Sequence, residues 1–164
     1  MKEFTVALAG NPNCGKSTIF NALTGSRQHV GNWPGKTVEK KEGYFNHNGK
    51  KIKVVDLPGT YSLSAFSMEE VIARDYILDE RPDMVIAVVD STNLERNLYL
   101  VVQLLELGTR VIVDLNMSDL ARSSRIKIDT DKLAFALQSE VIKTIGSRGD
   151  GVDQLKDLIS TYYQ

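Results

Sequence analysis

Residues Gly10–Ser17 read G-N-P-N-C-G-K-S, a complete G-x-x-x-x-G-K-[ST] loop between the apolar run Phe4–Ala9 and the helical pattern Thr18–Leu23. This feature constrains the fold as much as the chemistry. The loop works only where a buried strand runs into a helix, so that the free N–H groups of the helix start can meet an anion. Gly10 and Gly15 allow backbone conformations that other residues resist, and successive N–H groups can then turn inward across Asn11, Pro12, Asn13 and Cys14. From there Lys16 can reach the outer phosphates of a nucleotide, the Ser17 hydroxyl can ligate Mg²⁺, and Thr18 carries the loop into the helix. The expected ligand is a nucleoside triphosphate. A Gly-rich turn that binds nothing would not need Lys and Ser at these places.

Downstream, apolar runs alternate with longer segments of helical period, the pattern of a parallel sheet covered on both faces. Strands are expected at Phe4–Ala9, Ile52–Val55, Met84–Val89, Val111–Leu115 and Val141–Thr144, and helices at Lys16–Leu23, Met68–Leu78, Asn93–Leu107, Asp131–Leu137 and Val152–Tyr162. Thr37–Phe45, followed by the turn Asn46-His47-Asn48-Gly49, reads as an antiparallel edge strand entering a hairpin. The predicted fold is α/β: a mostly parallel six-stranded sheet with one antiparallel edge strand and helices on both faces. In the Asn93–Leu107 helix, Leu94, Leu98, Val101, Val102, Leu104 and Leu105 gather around one face, with Glu95, Arg96 and Asn97 mostly off it.

Bulk composition narrows the function classes. A chain of 164 residues suits one domain, residues 1–164, with no linker or repeat to mark a second. Its net charge of -1, from 20 Lys+Arg against 21 Asp+Glu, gives no global field for nucleic acid or anionic lipid. No apolar run reaches 18 residues, and Met1-Lys2-Glu3 leads directly into a strand, so neither a membrane span nor a signal peptide is expected. Cys14 is the single cysteine, which excludes an internal disulfide. It reads as a small filler of the loop, the alternative being a thiol activated by the helix N-terminus. His29 and His47 are too few for a zinc site and are expected in solvated loops.

Three further stations carry chemistry. Asp56-Leu57-Pro58-Gly59 follows the strand Ile52–Val55, placing Asp56 at a strand end where it can hold the Mg²⁺ hydration shell and the Gly59 N–H where it can meet a γ-phosphate. Between these stations the loop His29–Lys36 contains Trp33, Pro34, Gly35 and Lys36 and leads to Thr37, the natural second Mg²⁺ ligand. Such a loop can order around a γ-phosphate and loosen after hydrolysis. Trp33, in its G-N-W-P-G setting, is expected to be exposed and mobile. The last station is Asn116-Met117-Ser118-Asp119 after Val111–Leu115. The Asp119 carboxylate can accept from N1–H and the 2-amino group of guanine, which adenine lacks. Met117 stands where N-K-x-D places Lys; a thioether can cover a base but brings no ammonium. The alternative for Asn116 and Asp119 is a helix cap.

Gly10–Thr18, Gly31–Gly43 (G-N-W-P-G-K-T-V-E-K-K-E-G), Asp56–Leu63 (D-L-P-G-T-Y-S-L) and Asp90–Leu100 (D-S-T-N-L-E-R-N-L-Y-L) together resemble the cytosolic G domain of the ferrous-iron transport protein B family (FeoB). These are bacterial and archaeal membrane proteins, and the likeness covers nearly the whole chain. It implies a Ras-like P-loop GTPase in which Gly10–Thr18 bind phosphates, Ser17 and Thr37 hold Mg²⁺, and Asn116 with Asp119 read guanine. It also implies that the chain is the N-terminal, soluble piece of a longer protein at the cytoplasmic face of the membrane. Its partners would then be the adjoining helical and permease regions, with homo-oligomers through the full-length protein. Where related proteins carry a Ser-Ala or Ser-Thr pair over the guanine, this chain has Ile145-Gly146-Ser147-Arg148.

The expected reaction is GTP hydrolysis to GDP and phosphate by in-line attack of water, with Lys16, Mg²⁺ and backbone N–H groups neutralising charge. Thr60 and Tyr61 follow Gly59 where Ras-like enzymes place a water-orienting Gln, so turnover should be slow. Asn11 matches the position from which some similar GTPases hold K⁺ beside the phosphates. With Met117 and a flexible Gly146 at the base, GDP should bind weakly and leave quickly. The rivals are a non-catalytic GTP-dependent regulatory module and, further off, a ribosome-assembly GTPase, which the near-neutral charge disfavours.

Overall fold

Three runs rich in Val, Ile, Leu and Ala, Phe4–Gly10, Met84–Asp90 and Val111–Asn116, form the strands buried on both faces, because a strand covered on both faces needs apolar side chains in both directions. The computed structural model describes residues 3–163, so Met1 and Lys2 of the N-terminal reading lie outside it. In chain order the elements are β1 (Phe4–Gly10), α1 (Lys16–Thr24), β2 (Gln28–Asn32), β3 (Glu39–His47), β4 (Lys50–Asp56), α2 (Met68–Glu80), β5 (Met84–Asp90), α3 (Leu94–Glu106), β6 (Val111–Asn116), α4 (Ser118–Ser123), α5 (Thr130–Leu137), β7 (Glu140–Lys143) and α6 (Val152–Thr161). The sheet is seven-stranded in the order β2-β3-β4-β1-β5-β6-β7. Pairs β1–β4, β1–β5, β5–β6 and β6–β7 are parallel, while β2–β3 and β3–β4 are antiparallel.

Side chains alternate between two cores. On one side Val6, Leu8, Ile52, Val54, Met84, Ile86 and Ile112 pack with Ile19 and Phe20 of α1 and Leu155 and Ile159 of α6. On the other, Ala7, Val55, Val85, Val113 and Leu115 meet Ile72 and Ile77 of α2 and Leu100, Val101 and Leu104 of α3. Cutting a fully buried anchor such as Leu104 back to Ala would destabilise by about 2–5 kcal/mol. This two-sided packing holds the carboxyl ends of β1, β4 and β6 on one rim of the sheet. Strand order reverses around β1 there, and such a crevice is where open α/β sheets bind ligands.

The fold class is as expected, with one strand more. Strand β2 occupies part of the stretch read as a loop, and its Val30-Gly31-Asn32 gives no alternating apolar face because its residues are mostly exposed. Main-chain pairing to β3 makes it a strand. Trp33 is 6% exposed, not solvent-facing: its ring packs edge-on to Tyr76 at 5.6 Å, and its backbone N–H donates to Val38 O at 2.9 Å. The Gly and Pro around it shape a turn that buries the ring. His29 and His47 lie in β2 and β3 rather than in loops, and His47 is paired with Asp157 of α6. On α3, Asn97 is buried while Val102 is exposed. The Asn97 side chain accepts from Asp90 N–H and donates to Asn93 O, tying the helix to the end of β5.

Candidate nucleotide-binding site

The phosphate loop leaves β1 at Gly10 and closes into α1 through Ile19 N–H to Gly15 O at 3.1 Å. Gly15 has φ 85°, and a Cβ there would sit 2.2 Å from Asn116 Nδ2, so both backbone conformation and space demand glycine. The loop is braced from two sides. Asn116 Nδ2 donates to Cys14 O at 3.1 Å from the end of β6, and Thr60 N–H donates to Gly10 O at 3.0 Å from the segment after β4. Gly59 packs over Pro12, where a Cβ would come within 3.3 Å of Pro12 Cα. Asn13 takes a positive φ of 66°, and Pro12, Asn13, Ser17 and Thr18 face solvent at the mouth of the crevice.

Lys16 Nζ lies 2.5 Å from Asp56 Oδ1, both side chains only 10% exposed. Burial pushes the Asp56 carboxyl above its ordinary range despite the pull of Lys16, so desolvation outweighs the attraction. Such a pair is poised to exchange partners with a ligand carrying negative oxygens and a cation. Asn11 is 4% exposed, and neither amide atom has a hydrogen-bond partner in the protein. Buried amides are rarely left so, and both polar atoms of this one face neither a donor nor an acceptor of the protein. Burial raises the Cys14 thiol to about 11, which corrects the activated-thiol alternative: the helix start does not offset the loss of water around it.

Thr37 lies in an exposed bend between β2 and β3. Its loop is rooted by Trp33, whose carbonyl accepts from Lys36 N–H at 2.9 Å, with Gly35 at φ 67° making the turn. The structure therefore holds Lys16 and Asp56 in direct contact, while Gly35, Lys36 and Thr37 lie in the exposed turn between β2 and β3.

On the base side Met117 turns the chain with φ 58° into α4, whose first turn holds Asp119. The Asp119 Oδ2 lies 3.8 Å from Nη2 of the exposed Arg148. Asn116 is 3% exposed, and its amide is engaged within the protein. Oδ1 accepts from Gly146 N–H at 2.9 Å and faces the Thr144 hydroxyl at 3.3 Å, opposite the Nδ2 bond to Cys14. Asn116 thus joins the base loop to the phosphate loop through its oxygen and one N–H of its amide. Gly146 is buried in the turn Gly146–Arg148 and its N–H is held by that bond, while Ser147 is exposed. Sequence reasoning passed over Thr144 and Asp114, which complete this network. The available signal was a carboxylate inside the otherwise apolar strand Val-Ile-Val-Asp-Leu-Asn.

No helix among the described residues is long and apolar enough to cross a membrane. The family profile described as ferrous iron transport protein B matches residues 4–159. The Fe(2+) transporter FeoB of Escherichia coli (strain K12) is 52% identical over 166 residues, covering 99% of this chain but 22% of that protein. The chain therefore spans about a fifth of the length of such curated relatives. Among solved structures, the FeoB G-domain from Methanococcus jannaschii superposes with TM-score 0.87 at 51% identity, covering 99% of this chain and 98% of that one. The cytosolic domain of the T. maritima FeoB iron transporter in a GDP form superposes with TM-score 0.96 at 48% identity, over 99% of this chain and 64% of that one. With the profile, the identity and the superposition all running the length of the described fold, the chain belongs to the ferrous iron transport protein B family and corresponds to its G domain.

Proposed function

We propose that this chain binds GTP and hydrolyses it slowly to GDP and phosphate, acting as the nucleotide switch of a ferrous iron transporter. The observation that carries the reading is the convergence of three separated segments on one loop: Asp56 on Lys16, Thr60 on Gly10, and Asn116 on Cys14. Solved relatives include one in a GDP form, and the curated relatives are Fe(2+) transporters. In this reading the chain is a single G domain at the N-terminus of a longer membrane protein. It lies at the cytoplasmic face, and its partners are the helical and permease regions that follow.

The residues divide the work by chemistry. Backbone N–H groups of Asn13–Thr18 and the Lys16 ammonium, released from Asp56, hold the phosphates. Asp119 accepts from guanine, with Met117 against the base and Gly146, Ser147 and Arg148 along its edge. Ser17, Thr37 and Asp56 would hold Mg²⁺, directly or through water, and the orphaned Asn11 amide suits K⁺. When bound, these ions supply positive charge against the charge that develops on the phosphoryl oxygens. The Gly59 N–H stands where the γ-phosphate would arrive.

One observation favours a regulatory emphasis over rapid catalysis. Thr60 is buried with its N–H bonded to Gly10 O, and the exposed Tyr61 ring lies under the Arg96 guanidinium at 4.3 Å. Neither side chain brings an amide to orient water. The test is phosphate release under excess GTP in K⁺ and in Na⁺. Multiple slow turnovers are expected, roughly tenfold faster in K⁺, with the difference erased in Asn11→Ala. Binding without any release would leave only the non-catalytic module, and equal rates in both salts would remove the K⁺ role.

A further inference from the structure

Asp114 stands in the middle of β6 between Val113 and Leu115, paired across the sheet with Val88 and Ile142, and is fully buried. Its Oδ1 meets the Thr144 hydroxyl at 2.5 Å, and its Oδ2 has no partner in the protein. The Thr144 hydroxyl also lies 3.3 Å from Asn116 Oδ1, which takes the Gly146 N–H, while Asn116 Nδ2 donates to Cys14 O. A continuous hydrogen-bonded path thus runs from a core carboxyl to both the base loop and the phosphate loop.

The Thr144 hydroxyl has one proton to give. An ionised Asp114 can only accept, so it takes that proton's bond, and Asn116 Oδ1 is left with the Gly146 N–H alone. A neutral Asp114 carries its own proton and can donate it to Thr144 Oγ1, freeing the hydroxyl proton for Asn116 Oδ1. All bonds then point the same way along the path and reinforce one another. Ionisation also buries a carboxylate oxygen without a donor, which favours opening of the loops to water.

We propose that Asp114 is a positioning residue of the nucleotide site: through Thr144 and Asn116 it sets how firmly Gly146 and the phosphate loop are held, so that nucleotide release follows the proton it carries. This rests on the reading of the crevice as a nucleotide site. Burial pushes the Asp114 carboxyl up to about 7, with the Thr144 bond pulling the other way and no ionic partner involved. Around it, α1 contributes Ile19 and Phe20, α6 contributes Val152 and Leu155, and β5 contributes Val88, all apolar. The phosphate loop brings the Cys14 thiol, which at about 11 stays neutral, and Lys16 turns its amine to Asp56. Lys143 of β7 and Asp153 and Asp157 of α6 are exposed to solvent. A raised carboxyl is neutral below about 7 and ionised above it, so release is slow on the acid side and faster on the alkaline side.

The experiment is stopped-flow release of a fluorescent GDP analogue from the 164-residue chain across about one pH unit either side of 7. Wild type should accelerate by roughly fivefold with rising pH, the loss of about one hydrogen bond. Asp114→Asn, uncharged and able to donate to Thr144, should release slowly at every pH. Thr144→Val should abolish the pH dependence and Thr144→Ser restore it, which a merely structural role would not do; this pair also decides the matter if Asp114→Asn does not fold. A flat wild-type profile, or an unchanged slope in Asp114→Asn, overturns the inference alone. Folded protein that binds no GDP overturns the nucleotide reading and this inference with it.

Discussion

The two halves of the crevice are built on different physics. On the phosphate side the principal contact is ionic, Lys16 against Asp56, with an unpartnered Asn11 amide nearby. On the base side the scaffold is a set of buried hydrogen bonds through Asn116, Thr144 and Gly146 that ends on the Asp114 carboxyl, and its ion pair among the described residues, Asp119 with Arg148, is loose and partly exposed. Charge at close quarters is strong, and it can be exchanged for a ligand's charge. A buried hydrogen-bond network without an ionic partner instead fixes geometry, because leaving any member unsatisfied is costly. The phosphate half is accordingly suited to gripping and responding to the ligand, and the base half to holding a shape that selects it.

The largest effect should come from removing the exchangeable charge. Lys16→Ala deletes the cation that would move from Asp56 to the phosphates, and triphosphate affinity should fall by about 3–4 kcal/mol, more than a hundredfold. Thr37→Ala provides the contrast within the same half. Thr37 stands at an exposed bend, so it should matter only when the loop closes on Mg²⁺ and a γ-phosphate. Titrations with GDP and a non-hydrolysable GTP analogue should show GDP affinity unchanged and analogue affinity reduced. Equal losses for both nucleotides would dissolve the distinction between grip and switch.

The base half should fail by changing its preference. In Asp119→Asn one carboxylate acceptor becomes a donor, and GTP should lose roughly 2–4 kcal/mol while xanthosine triphosphate gains. Competition between the two nucleotides reads this directly. Unchanged GTP affinity would place selection elsewhere in the base half, and the Arg148 pairing would then be the function of Asp119.

How much could be read beforehand follows the same division. The phosphate loop and the Asp56 turn were legible because their chemistry lies in consecutive residues, where spacing alone places Lys16, Ser17 and Gly59. The two cores were legible because β1, β5 and β6 are apolar in both directions. Strand β2 was not, since an exposed edge strand is held by main-chain bonds and leaves no side-chain period. Trp33 was misjudged because glycine and proline around a ring signal a turn without saying which way the ring points. The Asp114–Thr144–Asn116 path joins residues 28 and 30 positions apart and exists only once β6 and β7 pair.

The smallest expected effect tests whether the base loop is a flexible flap or part of the fixed half. A flexible Gly146 should lose entropy on binding, and Gly146→Ala would then slow the release of GDP by stiffening the loop. The structure gives the opposite sign. Gly146 does not adopt a positive φ, and its N–H is already bonded to Asn116 Oδ1. A Cβ there would come within 2.9 Å of Ile19 Cδ1 and 3.3 Å of Thr18 Cγ2. Ile19 Cδ1 is the end of a side chain that can shift, so the crowding should be absorbed at modest cost, about 1 kcal/mol. The shift would be felt at the Asn116 bond and at the start of α1, which carries Lys16 and Ser17. Release should therefore quicken by roughly fivefold with phosphate-side affinity for pyrophosphate nearly unchanged, since the added methyl touches the seam rather than the ammonium. Slower release in Gly146→Ala would return the base loop to the flexible class and leave the buried network as packing alone.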